Sequence, residues 1–373
     1  MKHLRNFPDV ETRDEVLATI DYNILHCTEG VGVGIAKGTY LDYSEPFYVE
    51  NITNSNETLL IKSYNRSEED DYLEITVQYS TDRINWNTLG TTGSTALEMT
   101  LQPNDKVYLR ANTSMWYEYQ EEPFVYHGCN INGVSKIGGN IMSLLYGSNF
   151  TGNERSFPSG TNSNFYGLFS VDGIDGDNTV LVSASELLLP ATTLAAGCYM
   201  YMFFGCTSLT STPTLPATAL DAGCYDSMFA GCTSLTSAPT LPATALADHC
   251  YASMFNGCTS LTSAPTLPAT TLADHCYASM FNGCTSLTSA PTLPATTLAD
   301  YCYEYMFYDC ASLTSAPTLP ATTLANNCYD YMFAGCTSLT SAPTLPATTL
   351  ANNCYSGMFH DCASLTSAPT LPA

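Results

Sequence analysis

Cysteines recurring every 26 residues constrain this chain more than any other feature. Cys198, Cys224, Cys250, Cys276, Cys302, Cys328 and Cys354 form one series, and Cys206, Cys232, Cys258, Cys284, Cys310, Cys336 and Cys362 form a second. Copies 246–271 and 272–297 are identical at all 26 positions. A weaker unit precedes them, with Tyr166-Gly167-Leu168-Phe169 and then Leu187 to Leu194, and Pro190 falls 26 residues before Pro216, in register. A unit this short cannot bury a core alone, so neighbouring copies must stack.

In copy 272–297, Leu272, Cys276 and Met280 follow i, i+4, i+8. That spacing predicts a short helix, with Thr271 as its N-cap and Gly283 as its C-terminal stop. Leu287, Ser289, Pro291 and Leu293 alternate as on an extended segment. Pro291 limits ladder pairing, so the expected strand is about three or four residues around Leu287. Each rung is expected to be a short strand, a proline-marked turn and a short helix.

The Leu, Phe, Met, Cys and Pro positions barely change between copies, as a stacked core requires. Variation concentrates in three columns. The first runs Gly197, Gly223, His249, His275, Tyr301, Asn327, Asn353. The second runs Tyr201, Ser227, Ser253, Ser279, Tyr305, Tyr331, Gly357. The third runs Phe204, Ala230, Asn256, Asn282, Tyr308, Ala334, His360. Flat apolar faces joined to amide and carboxylate hydrogen bonds, from Tyr, His, Asn and Asp, suit neutral sugars or a protein surface. The alternative is a set of relaxed, solvent-facing positions on a spacer lengthened by duplication.

Charge narrows the choice. The chain has 35 acidic and 11 basic residues, a formal net charge of −24. No Lys or Arg follows Arg155, so the two parts stand at −11 and −13. A surface without cations cannot release counterions from a phosphate backbone, which excludes nucleic acid as partner of the C-terminal part. It has no basic face for anionic lipid and no clamp for phosphoryl groups. No run reaches the about 18 apolar residues of a membrane span, and Met1 to Glu15 has no apolar signal core. The expectation is synthesis in the cytoplasm, without membrane insertion.

Cysteine spacing within a repeat is C-x7-C, which lacks a zinc-ribbon signal. The thiols are expected reduced and packed in the core. Asp172, Asp175 and Asp177 offer oxygen ligands that calcium would accept, but they depart from EF-hand spacing, and a solvated turn is the alternative. None of the six histidines sits in H-E-x-x-H, and no serine sits in G-x-S-x-G, so no enzyme and no cofactor is expected.

Before the array, residues from about Tyr40 to Thr113 read as antiparallel strands: Phe47–Ile52, Thr58–Ser63, Leu73–Tyr79, Ala96–Leu101 and Lys106–Ala111. The count predicts an immunoglobulin-like sandwich with Trp86 in its core. Ile141, Leu144 and Leu145 suit a cap on the first repeat. The fold class is therefore multidomain: an N-terminal segment 1–37, a β domain 38–113, a connector and cap 114–165, and a solenoid of strand plus helix per repeat, 166–373. The array reaches Leu371-Pro372-Ala373, and Leu365–Ala373 is expected to contact a partner or second copy.

The motif Phe281-x-x-Cys284-x-Ser286-Leu287-Thr288-Ser289 followed by Leu293-Pro294 resembles the BspA-like leucine-rich repeats of bacterial surface proteins. That resemblance implies a leucine-rich-repeat solenoid used for adhesion, not catalysis. The opening Phe7 to Glu15, with Tyr22 to Cys27, resembles the leader of virion-attached proteins in crAss-like gut phages. Gly139 to Gly147 is similar to a stretch preceding such repeats in gut bacterial and phage proteins. Together they imply a head- or tail-fibre-type virion protein, a homo-oligomer held to capsid or tail proteins by residues 1–37. Its solenoid would bind host-surface or mucosal glycan or protein. The alternative is a BspA-like adhesin on a bacterial cell surface.

Overall fold

The computed structural model describes residues 42–65, 73–111, 117–120, 125–158, 161–170 and 179–369. The expected anchor 1–37, the Asp172, Asp175 and Asp177 loop and the last residues of 365–373 lie outside them. Residues from Asp42 onward form one compact unit.

Among the described residues, ten strands precede or open the array: β1 Tyr48–Glu50, β2 Glu57–Asn65, β3 Thr76–Ser80, β4 Asn87–Thr91, β5 Leu97–Leu101, β6 Lys106–Ala111, β7 Tyr117–Gln120, β8 Val125–Asn132, β9 Lys136–Asn140 and β10 Ser183–Leu188. They form a six-stranded sheet, β10-β9-β1-β6-β3-β4, and a four-stranded sheet, β5-β2-β8-β7. Alternation decides which side is buried: in β6, Val107, Leu109 and Ala111 point inward while Lys106, Tyr108 and Arg110 stay half-exposed. Phe47, Val49, Leu59, Ile61, Val77 and Leu109 fill the core. The expected strands around 58–63, 96–101 and 106–111 correspond to β2, β5 and β6. Those at 47–52 and 73–79 shorten to β1 and β3. Trp86 is not in the core; it sits at the surface just before the edge strand β4, with its ring against Arg110 at 4.1 Å.

A short helix, α1 (Ser143–Tyr146), follows β9. Ile141, Leu144 and Leu145 are buried there. Ser143 ties the helix to the sheet: its hydroxyl accepts the Phe47 N–H at 3.0 Å and donates to the Leu109 carbonyl at 2.9 Å. A Cβ on Gly139, within β9 and with φ of +71°, would strike the Pro46 carbonyl, so only glycine fits this close approach of the strand. β10 lies parallel to β9, and Ser183 bridges Ser211 in parallel. The bridges recur at Ser237–Ser263, one repeat apart. The extended part of each rung is therefore reduced to isolated bridges.

The expected helix in each rung is not there: among the described residues, 197–369 contain turns but no helix. The reason is backbone handedness. In copy 272–297, His275, Ser279 and Gly283 have φ of 54°, 54° and 70°, one left-handed residue every fourth position. A left-handed residue ends a right-handed helix. Alternate N–H groups then serve different partners. Cys276, Ala278, Met280, Asn282 and Cys284 donate to the carbonyl three residues back. His275, Tyr277, Ser279, Phe281 and Gly283 donate instead to Asp300, Cys302, Glu304, Met306 and Tyr308 on the next rung. Half the backbone donors close turns and half join rungs, so few are left unpaired.

No helix of the described residues is long and apolar enough to cross a membrane.

Candidate functional site

The four-residue turn period sorts side chains two in and two out. Cys276 and Tyr277, then Met280 and Phe281, then Cys284, face inward and are buried. Inside, two aromatic ladders run along the stack. Tyr199 to Tyr355 stack rung on rung with ring centroids 5.7–5.9 Å apart. Phe203 to Phe359 stack at 5.3–5.8 Å. Phe169 carries the second ladder back to Phe47 of the sheets, at 5.9 Å. The hydroxyls of Tyr199, Tyr225, Tyr251 and Tyr277 are buried without a hydrogen-bond partner, so phenylalanine would serve the packing equally well there.

The second cysteine series has a definite bonding role. Each thiol from Cys232 to Cys362 donates to the carbonyl of a Phe 29 residues earlier, as Cys284 does to Phe255, and Cys206 donates to Phe169, 37 residues earlier, all at 3.1–3.2 Å. All fifteen described cysteines are free, and all but Cys362 are buried. Burial pushes Cys258 and Cys310 up to about 12. Reactivity follows the thiolate, so iodoacetamide near pH 8 should label Cys362 before the other described cysteines. Cys258, Cys284 and Cys310 should react about a hundredfold more slowly until denaturant is added. Peptide mapping of the alkylated native chain checks this, and labelling of Cys284 at the rate of Cys362 would contradict it.

The three variable columns lie on the outward side except at Ser227, Ala230 and Ala334, which are buried, and two of the columns are the left-handed positions. His249, His275, Tyr301, Asn327 and Asn353 have φ of 51–58°, and Tyr201, Tyr305 and Tyr331 have φ of 50–57°. Gly197, Gly223 and Gly357 hold equivalent places at 56–59°. Such residues form separate surface groups. His249 stacks on His275 at 4.4 Å, and His275 on Tyr301 at 4.5 Å, all nearly parallel. Tyr305 stacks on Tyr331 at 5.3 Å and takes Tyr308 edge-on at 5.5 Å. His360 tilts towards Tyr331 at 6.2 Å. Tyr201 belongs to an earlier group, between Tyr166 at 5.3 Å and Phe204 at 5.4 Å.

The amides are set apart from these groups. Asn256 and Asn282 are half-buried, and their backbone carbonyls accept from Gly231 and Gly257. The third column is thus held by its carbonyls, and the first two by their handedness.

Acidic neighbours were not singled out from the sequence, although they recur in register. Asp248, Asp274 and Asp300 each accept a backbone N–H from the next rung, at 3.2, 3.0 and 2.8 Å. They stand beside the histidine stack. Burial first, and His249 second, hold His275 below its ordinary range, while these aspartates oppose the shift. Burial likewise raises Asp226 and Glu304, the latter with help from Asp330. Asp330 is 9% exposed, and its Oδ1 has no partner. No group of three metal-binding side chains forms among the described residues.

Comparison with known proteins bears on the array alone. Residues 197–289 and 274–372 match the BspA type leucine rich repeat region, in six copies. The repeat region is of the leucine-rich-repeat type. Repeats of this kind generally serve as non-enzymatic protein-interaction modules. No curated protein and no solved structure matches the chain.

Proposed function

We propose that this chain is a non-catalytic surface adhesin, in which an immunoglobulin-like sandwich carries a leucine-rich-repeat solenoid whose aromatic groups bind a neutral glycan. One observation carries the reading. Gly197, Gly223 and Gly357 satisfy the backbone at left-handed positions, yet the rungs between keep His249, His275, Tyr301, Tyr305 and Tyr331 there. Left-handed backbone costs such residues roughly 1–2 kcal/mol each, so their side chains are retained against the fold's own preference. Stacked, half-exposed rings next to Asp248, Asp274 and Asp300 offer flat faces for sugar C–H groups and acceptors for hydroxyls. The absence of any Lys or Arg after Arg155 disfavours polyanions at this surface.

The test is a glycan array probed with the full chain and with Tyr301→Gly, Tyr305→Gly and Tyr308→Ala combined. The glycines relieve the backbone, so the fold is kept. Loss of binding by tenfold or more is expected; unchanged binding would refute the aromatic surface and leave a structural spacer.

The array would be mounted through residues 1–37, within the division 1–37, 38–113, 114–165 and 166–373. The likeness of the opening residues to virion-attached leaders supports a phage particle as the carrier, with capsid or tail proteins as partners and several copies together. The BspA-type repeats support a bacterial cell surface equally well. Proteomics of purified particles against outer-membrane fractions separates the two, and recovery from membranes alone would overturn the phage placement.

A further inference from the structure

The sheets carry a concave surface, unconnected with the aromatic columns. A cavity of about 360 Å3 opens between the β3–β4 turn and the residues around α1, lined among others by Asp42, Ser44, Arg83, Trp86, Arg110 and Phe150. Its charge pattern is unusual for so acidic a chain. Lys106 is paired with Glu45 at 2.8 Å, and Lys136 bridges Glu50 and Glu186, each at 2.9 Å. Arg110 has no carboxylate among the described residues. Its Nε donates to Gln78 Oε1 at 2.8 Å and its guanidinium rests 4.1 Å from the Trp86 ring, which leaves the terminal amino groups of the fork uncommitted. A second guanidinium, Arg83, lines the same cavity, 3.6 Å from Asp42.

The wall is fixed before any ligand arrives. Asp82 accepts the N–H groups of Ile84 and Asn85, the Asn85 amide and the Ser80 hydroxyl at 2.6–2.9 Å. These bonds to the charged form hold its carboxyl well below the usual range. Arg83 is thereby locked at φ 65°, and its carbonyl takes the Trp86 indole N–H at 3.2 Å. Antiparallel pairing of β3 with β6, Gln78 opposite Arg110, brings the second guanidinium alongside.

We propose that this cavity binds a carboxylated sugar, of the uronic or sialic acid class. A planar guanidinium with free donors matches a carboxylate in two parallel hydrogen bonds. Asp42 and Ser44 present acceptors for sugar hydroxyls. Trp86 and Phe150 offer the apolar surface that a sugar ring needs. A bare anion would use the arginines and leave the remaining groups idle. The site stands apart from the solenoid's ligand, so either can fail alone.

Trp86 itself reports on the site. The chain has two tryptophans, so Trp116→Phe leaves Trp86 as the only tryptophan, excited selectively beyond the tyrosine absorption band. Titration with sodium glucuronate or N-acetylneuraminate should change its emission saturably, in the millimolar range. Glucose at equal concentration should do nothing, and acetate at equal ionic strength should bind at least tenfold more weakly. Arg110→Gln should weaken the acidic sugar at least tenfold, and Arg110→Lys should recover only part of the loss. Unchanged urea midpoints for both variants show that the fold is intact. If neither acidic sugar binds, or if acetate binds equally well, the proposal is overturned. If Trp116→Phe does not fold, amide shifts of Arg83 and Arg110 in the full chain give the same readout.

Discussion

Phe281→Ala should destabilise the array by about 3–5 kcal/mol, measured as the shift in urea-unfolding free energy of the full chain. The ring is fully buried and stacks on Phe255 at 5.8 Å and Phe307 at 5.6 Å. Removing it leaves a gap in the ladder that neither neighbour can fill, because each is held in its own rung. The surrounding backbone bonds remain: the Phe281 carbonyl still accepts the Cys284 N–H at 3.0 Å and the Cys310 thiol at 3.1 Å. Rungs contact only their neighbours, so the loss should also uncouple the two sides and broaden the transition. Phe359→Ala is the internal control. That ring is only half-buried and stacks on a single partner, Phe333. Its cost should be less than half as large. Equal costs at both sites would show that the ladder does not transmit stability along the array.

Ser279→Ile should cost about 1–3 kcal/mol, and Ser279→Gly should return about 0.5–1 kcal/mol. Both follow from one dihedral. Ser279 has φ of 54°, a region that β-branched side chains avoid and glycine enters freely. The same N–H must donate to Glu304 of the next rung at 2.7 Å, so the residue cannot escape by changing conformation without breaking the joint. The serine at Ser253, with φ of 51°, gives an independent second site. The two signs together are the test. A neutral isoleucine would mean that the position is not left-handed and that the rung does not turn every four residues.

The stacking itself was legible because 26 residues recur with little change, and a repeat of that length has no other way to bury Leu, Phe and Cys. The rung's path was not. Leu272, Cys276 and Met280 satisfy a helical face, yet they satisfy a four-residue turn equally well. The distinguishing sign was present: Cys276, Met280 and Cys284 hold a period of four without the drift that 3.6 residues per turn would impose. A second sign lay in the variable columns, where Gly197, Gly223 and Gly357 share places with His, Asn, Ser and Tyr and never with Val, Ile or Thr. Such a column marks positive φ. Sequence alone read the same variation as a binding surface or as relaxed positions on a spacer, without seeing that the backbone sets its membership.

The cavity on the sheets was not legible for a different reason. Trp86 and Arg110 are 24 residues apart, and only the pairing of β3 with β6 makes them neighbours. An isolated tryptophan after a strand reads as core. Here an arginine covers its ring instead, and nothing in the local pattern announces that.

The joints between rungs also give the array an electrical direction. The Cys276 carbonyl accepts from Tyr251 at 3.1 Å, and the N–H of that same peptide group, on Tyr277, donates to Cys302 at 3.1 Å. Five such files cross each joint from Gly197 to Gly335, with every N–H pointing towards higher residue numbers. Peptide dipoles of about 3.5 D aligned in this way add head to tail. Their positive pole points along the growing chain, the reverse of an α-helix. In a segment without Lys or Arg, the main chain becomes the source of positive potential, and two otherwise similar directions along the stack become distinguishable to a charged partner.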